Sequence, residues 1–167
     1  MENFENKKEK LIQEATLNDV ASIQALNKKL FEYEEREGFS ENLDLGWSLS
    51  EEGEAEIKER IVNKENSCGF VYEVDNKLVG YLIGRILEEE TGRAESKYAD
   101  IEHMFVDEEC RGQSIGEKLV QEFKDWAKNK GLKTIKANVS YKNERAINFY
   151  KKVGLIPSDI TMVAIIE

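Results

Sequence analysis

The spacing of apolar residues changes several times along this 167-residue chain, and each change predicts a new element. Residues 11–17 read as a first strand, though their alternation is poor. Val20, Ile23, Leu26 and Leu30 then recur at helical spacing down to about Glu37, with Thr16 and Asn18 offering N-cap oxygens. Residues 38–49 read as a loop containing Trp47. Ser48 and Glu51 have capping-box spacing ahead of a second, very acidic helix with Ala55, Ile57 and Ile61 on one side. Residues 69–74 and 78–87 flank Asp75-Asn76-Lys77, a hairpin signal, and 88–97 is a polar loop. A third strand covers 98–106. Simple alternation puts Ile101, His103 and Phe105 on one face and Asp100, Glu102, Met104 and Val106 on the other. From about Ile115 to Lys130, Ile115, Leu119, Val120, Phe123, Trp126 and Ala127 share a helix face that ends at Gly131. Residues 132–139 alternate again, 143–152 form a short helix before Gly154, and 160–166 read as a closing strand.

Strand, helix, strand over 98–139 is a βαβ unit, whose two strands run parallel with a right-handed crossover. The earlier hairpin makes the sheet mixed. The length suits one α/β domain, 1–167.

Charge changes this picture. The net charge is −10, but residues 1–110 carry −15 while 111–152 carry +7. An acidic body with one basic segment points to two ligands of opposite charge. The overall acidity weighs against nucleic acid. The longest apolar stretch, 78–84, is too short for a membrane span, and residues 1–10 show no signal peptide. Cys68 and Cys110 have no metal-site or disulfide-framework spacing and read as reduced thiols. The expectation is a soluble cytoplasmic protein with no metal. A homodimer stays open.

The chemistry concentrates where the third strand ends and the long helix begins, at Arg111-Gly112-Gln113-Ser114-Ile115-Gly116. The first turn of a helix leaves N–H groups unpaired, and with the helix dipole these suit a phosphate. Gly112 and Gly116 leave the backbone open to close approach, and Arg111 adds positive charge.

This run resembles the acetyl-CoA pyrophosphate loop of the GNAT acetyltransferase superfamily, (Gln/Arg)-x-x-Gly-x-(Gly/Ala). Downstream, Asn143-Glu144-Arg145-Ala146-Ile147-Asn148-Phe149-Tyr150-Lys151-Lys152-Val153-Gly154-Leu155 is similar to that family's Asn-x-x-Ala-x-x-Phe-Tyr-x-Lys-x-Gly-Phe signature. Ser114 stands where the family usually has glycine, and Leu155 where it has phenylalanine. Ser114 and Glu117 have capping-box spacing, which predicts that Ser114 caps the helix.

The resemblance implies a GNAT fold and transfer of an acetyl group from acetyl-CoA to a primary amine, directly in a ternary complex. It implies that the backbone of Met104, Phe105 and Val106 pairs with the pantetheine arm. Backbone N–H groups of Gly112, Gln113, Ser114, Ile115 and Gly116 would hold the pyrophosphate, Asn143 the CoA chain and Lys152 a CoA phosphate. Tyr150 would sit near the sulfur and protonate the departing thiolate. Glu102, with Asp100 second, or a bound water, would take the amine proton. A strand N–H near Met104 would stabilise the oxyanion. His103 reads as a structural histidine, and Trp47 either lines the acceptor site or staples its loop. Residues 32–59 hold 11 Asp/Glu against Arg36 and Lys58, favouring a cationic acceptor such as a polyamine, an aminoglycoside-like amine or a peptide amine. The alternative is a non-catalytic acyl-CoA-binding regulatory module on the same fold.

Overall fold

The hairpin at the middle of the chain organises the sheet. A computed structural model of the protein describes residues 10–40, 43–89, 96–164 and 166. Strand β2 (Ser67–Val74) turns into β3 (Lys77–Glu88) through Asp75 and Asn76, both with positive φ. Two left-handed residues give the turn a twist that matches the strands, and Asp and Asn tolerate that conformation best after glycine. Strand β1 (Lys10–Glu14) pairs outside β2, β4 (Lys97–Val106) pairs with β3, and β5 (Ile135–Ala137) closes the order 1-2-3-4-5. All neighbours are antiparallel except β4 and β5.

One sheet face packs against α3 (Ile115–Asn129), where Leu119, Val120 and Phe123 bury against Tyr72, Leu82 and Ile101. α4 (Glu144–Lys152) adds Phe149 and Tyr150 at the edge of the same cluster. The other face packs α1 (Val20–Arg36) and α2 (Glu51–Val62), with Ile23, Leu26, Ile57 and Ile61 against Val71, Tyr81, Ile83 and Phe105. Among the described residues, no helix is long and apolar enough to cross a membrane.

The expected elements form, with corrections. β1 stops at Glu14 because Thr16 turns the chain, donating from its backbone N and its hydroxyl to Asp19; Asp19, not Asn18, precedes α1. The cap of α2 is Ser50, whose hydroxyl accepts from Gly53 N at 3.1 Å. Ser48 is buried instead. Its hydroxyl donates to Asn27, which donates to the Tyr81 hydroxyl, so the turn Trp47–Leu49 is tied to α1 and β3.

The largest correction is in β4. Ile83 pairs with His103 but Gly84 pairs with Ile101, so Glu102 is an extra residue, a β-bulge. A bulge breaks the two-residue period. Ile101 therefore joins the α3 face, while Glu102 reaches Arg60 of α2 and His103 packs on Phe31 of α1. Strict alternation had separated Glu102 from His103, and the bulge brings them to one side.

β5 has three residues rather than the expected eight, and the described residues of 160–166 form no strand. Ile160, Met162, Val163 and Ile166 are exposed. Alternation produces a strand only where a partner supplies the ladder, and this segment has none among the described residues.

Candidate active site

The site is built around a gap in the sheet. β4 and β5 pair only through Ala99–Ile135, Asp100–Lys136 and Ile101–Ala137. Past the bulge, one edge of β4 has no strand beside it among the described residues. The Asp107 N–H donates to Val79 on the β3 side. By alternation the N–H and C=O of Met104 and Val106 point to the open edge, where the Val106 carbonyl already accepts from Arg111. Phe105 aims its backbone at β3 and buries its ring toward α1 and α2. The open edge of β4 can thus accept an extended ligand by strand-like hydrogen bonds.

The loop after β4 ends at α3. Gly112 has φ +76°, and a Cβ there would meet nothing within 4 Å, so glycine serves the turn and leaves open space. Ser114 also lies in the left-handed region, at φ 59° and ψ 19°. Contrary to the capping-box reading, its hydroxyl does not cap α3; it lies near the Glu117 carboxyl and, after Lys152, helps hold that group below its usual range. The left-handed backbone turns the side chain away from the first-turn amides, which stay available to a ligand. Such a conformation costs an L-residue about 1 kcal/mol. Ser114→Gly is therefore expected to raise the melting temperature by about 3 °C. An unchanged or lower value in a thermal melt would show that the Ser114–Glu117 contact outweighs the strain.

Several loop residues do other work than the sequence suggests. Gly116 makes room for protein: a Cβ would stand 3.1 Å from the Phe149 ring. Ile115 is buried in the core, and only its backbone faces the loop. Gln113 is exposed. Arg111 folds back over Tyr33 and Phe105, and its Nε donates to the Val106 carbonyl at 3.0 Å. Its charge is spent on holding the end of β4, so it is a positioning residue here. Asn143 caps α4, its side-chain oxygen accepting from Ala146 N at 3.0 Å; that points its amide nitrogen away from the cap and leaves it for a ligand. Lys152 pairs with Glu117 at 2.6 Å, beside the first turn of α3.

Tyr150 sits half-buried on α4, its ring edge-on to Phe149. Among the described residues its hydroxyl has no hydrogen-bond partner. Burial, then the charges of Asp100 and Glu34, push its pKa above the ordinary tyrosine range, so it stays protonated near neutral pH.

The two carboxylates proposed from sequence differ sharply. Burial pushes the Glu102 carboxyl up, but the hydrogen bond and charge of Arg60, with Arg85 and His103, hold it below the usual range. Arg60 Nε lies 2.7 Å away and Arg85 3.3 Å away. A carboxylate gripped by two guanidiniums is a weak base. Asp100 is buried and its carboxylate has no hydrogen bond among the described residues; burial, with the charge of Glu102, raises its pKa against the opposing charges of Arg85 and Lys136.

On the α1–α2 side lies a recess of about 300 Å³ lined by Phe31, Asp44, Trp47, Glu56 and His103. Burial pushes the His103 pKa down, with Arg60 and Arg85 acting in the same sense against Glu102, so the ring is neutral near pH 7. Burial and neighbouring Glu102 raise the Glu56 pKa. Glu56, Glu102 and His103 each bring one ligand-type atom within 4.8 Å of the others, with Glu102 already held by the arginines. Sequence reasoning passed over Phe31, Glu56, Arg60 and Arg85 and set His103 aside. Only the i,i+4 spacing of Glu56 and Arg60 carried a signal.

Known proteins resemble this chain in sequence and in fold. The chain is 32% identical over 103 residues to the "Probable N-acetyltransferase camello" of Xenopus laevis, covering 59% of this chain and 43% of that protein. It therefore spans less than half the length of that relative. In fold it is similar to the aminoglycoside acetyltransferase AAC(6')-Iy solved with the bisubstrate analogue CoA-S-monomethyl-acetylneamine. There the TM-score is 0.74 and the identity 16%, over 95% of this chain and 99% of that one. It is similar also to a predicted acetyltransferase of Clostridium acetobutylicum solved with acetyl-CoA, with a TM-score of 0.73 and 16% identity, over 93% and 96% of the two chains. The family model described as "Acetyltransferase (GNAT) family" matches residues 25–155, and with the open β4 edge, the 111–116 loop and the α4 signature in place, the chain belongs to that family.

Proposed function

We propose that the protein transfers the acetyl group of acetyl-CoA to a primary amine, in a ternary complex. The observation that carries this reading is the open β4 edge, which leads directly into the uncapped first turn of α3. The pantetheine arm lies along Met104 and Val106, and the pyrophosphate accepts hydrogen bonds from the 112–116 backbone. The amine loses a proton to a base and its nitrogen attacks the thioester carbon. The Met104 N–H, aimed at the open edge, stabilises the oxyanion. The tetrahedral intermediate collapses, the C–S bond breaks, and the thiolate takes its proton from Tyr150.

Of the two carboxylates, Asp100 fits the base better than Glu102, because its raised pKa makes it the stronger proton acceptor. The base acts deprotonated, so activity rises with pH on a limb displaced upward from that of an ordinary aspartate. Asp100→Asn removes that limb. The acidic 32–59 segment supports a cationic acceptor. Two unpaired thiols, Cys68 and Cys110, support a cytoplasmic setting.

A thiol-release assay with acetyl-CoA and a panel of amines tests the reading. Release that depends on amine is the expected result. CoA binding without release for any amine would leave a binding module, and no CoA binding would remove the assignment altogether.

A further inference from the structure

We propose that the recess between α1, the 47–49 turn and β4 holds a second ammonium group of the acceptor, which makes the favoured substrate an aliphatic diamine or polyamine. This rests on the acetyl-transfer reading for the reacting amine, while the recess carries the choice of substrate. Three rings line this open recess. Phe31 and Trp47 stack with centroids 6.0 Å apart and planes 19° from parallel. His103 lies 6.1 Å from Phe31 and 6.3 Å from Trp47. Aromatic faces attract an alkylammonium and do nothing for an anion.

The charge around the rings points the same way. Asp44 and Glu56 line the recess. Of the neighbouring cations, Arg60 is engaged by Glu102, Glu59 and Glu56, and Arg85 meets Glu102 through one terminal nitrogen while its Nε is buried without a hydrogen-bond partner among the described residues. The carboxylates of Asp44, Glu56, Glu59 and Glu102 outnumber these two guanidiniums, so the recess keeps a negative field. His103, neutral beside them, does not oppose a cation.

The wall that carries Trp47 is firmly seated. Ser48, its neighbour, is buried against Asn27, and Gln24 Nε2 donates to the Ser48 carbonyl at 3.0 Å. The N-terminal turn of α2 presses so closely that a Cβ on Gly53 would stand 2.3 Å from the Trp47 carbonyl oxygen. The recess also has the right position. His103 is its wall and the chain neighbour of Met104, whose N–H faces the proposed acetyl site. One end of a flexible diamine therefore reaches the thioester while the other rests against the rings.

Calorimetry on the protein saturated with CoA tests this without turnover. In the wild type, 1,5-diaminopentane is expected to bind at least about 10-fold more tightly than pentylamine. Trp47→Leu and Glu56→Gln are each expected to weaken diamine binding about 10-fold. Both should change pentylamine binding little and leave the CoA dissociation constant within about two-fold. Trp47→Phe should retain most of the diamine preference. Equal affinity for the two amines in the wild type overturns the proposal, as does a preference that survives Glu56→Gln. Diamine binding with no acetylation would defeat the acetyl-transfer reading and leave the recess standing. Acetylation with no diamine preference would do the reverse.

Discussion

Replacing Tyr150 by phenylalanine is expected to lower kcat about 10²-fold while the CoA dissociation constant stays within about two-fold of wild type. The change keeps the ring that packs beside Phe149 and removes only a hydroxyl that has no hydrogen-bond partner among the described residues. No buried partner is left unsatisfied, so the fold should not suffer. What is lost is the proton for the departing thiolate. An ordinary thiol titrates near ~8.5 and this hydroxyl titrates above the tyrosine range, so the donor is protonated wherever the thiolate forms. A raised pKa makes this hydroxyl a weaker acid than the thiol it protonates, and water also protonates thiolates; together these set the effect at the lower end of what general acids contribute. Single-turnover rates across pH 6–9 decide it. A wild-type rate, with chemistry limiting, would make Tyr150 a packing residue only.

The second large effect concerns the geometry that creates the site. Gly84→Ala is expected to destabilise the protein by about 3 kcal/mol and to reduce acetyl transfer with it. A Cβ at Gly84 would stand 2.3 Å from Phe123 Cε2 and 2.7 Å from the Asp100 carbonyl oxygen. Phe123 is fully buried against the sheet and has no room to retreat. The backbone oxygen belongs to the strand opposite, next to the bulge, so relief requires β3 and β4 to separate where Glu102 and His103 are aimed. Denaturant unfolding should show a lower midpoint at unchanged slope. Phe123→Leu in the same chain should recover part of the loss. A change below about 0.5 kcal/mol for Gly84→Ala would show that the ring and strand yield freely.

These two residues mark the two ways the site could be read. The position of Tyr150 was legible because it lies in a motif, Asn143-x-x-Ala146-x-x-Phe149-Tyr150, on a short helix whose spacing places the ring beside Phe149. The bulge at Glu102 was not. Nothing in Asp100-Ile101-Glu102-His103 announces an extra residue, and the pairing that makes it extra comes from β3, about twenty positions earlier in the chain.

The order of strands and helices, the mixed sheet and the strand–loop–helix junction were local properties of this chain. They follow from apolar period, from turn residues such as Asp75-Asn76 and from the glycines at 112, 131 and 154, each of which has a positive φ. Tertiary structure decided which polar groups remain free to act. Arg60 and Arg85 come from α2 and β3 to seize Glu102, while burial raises the pKa of Asp100. Phe149 fills the space beside Gly116, Tyr33 and Phe105 draw Arg111 away from the loop, and the bulge turns His103 toward Phe31 and Trp47. Periodicity records how each residue relates to its own element, whereas basicity, charge and access depend on neighbours that only folding brings near.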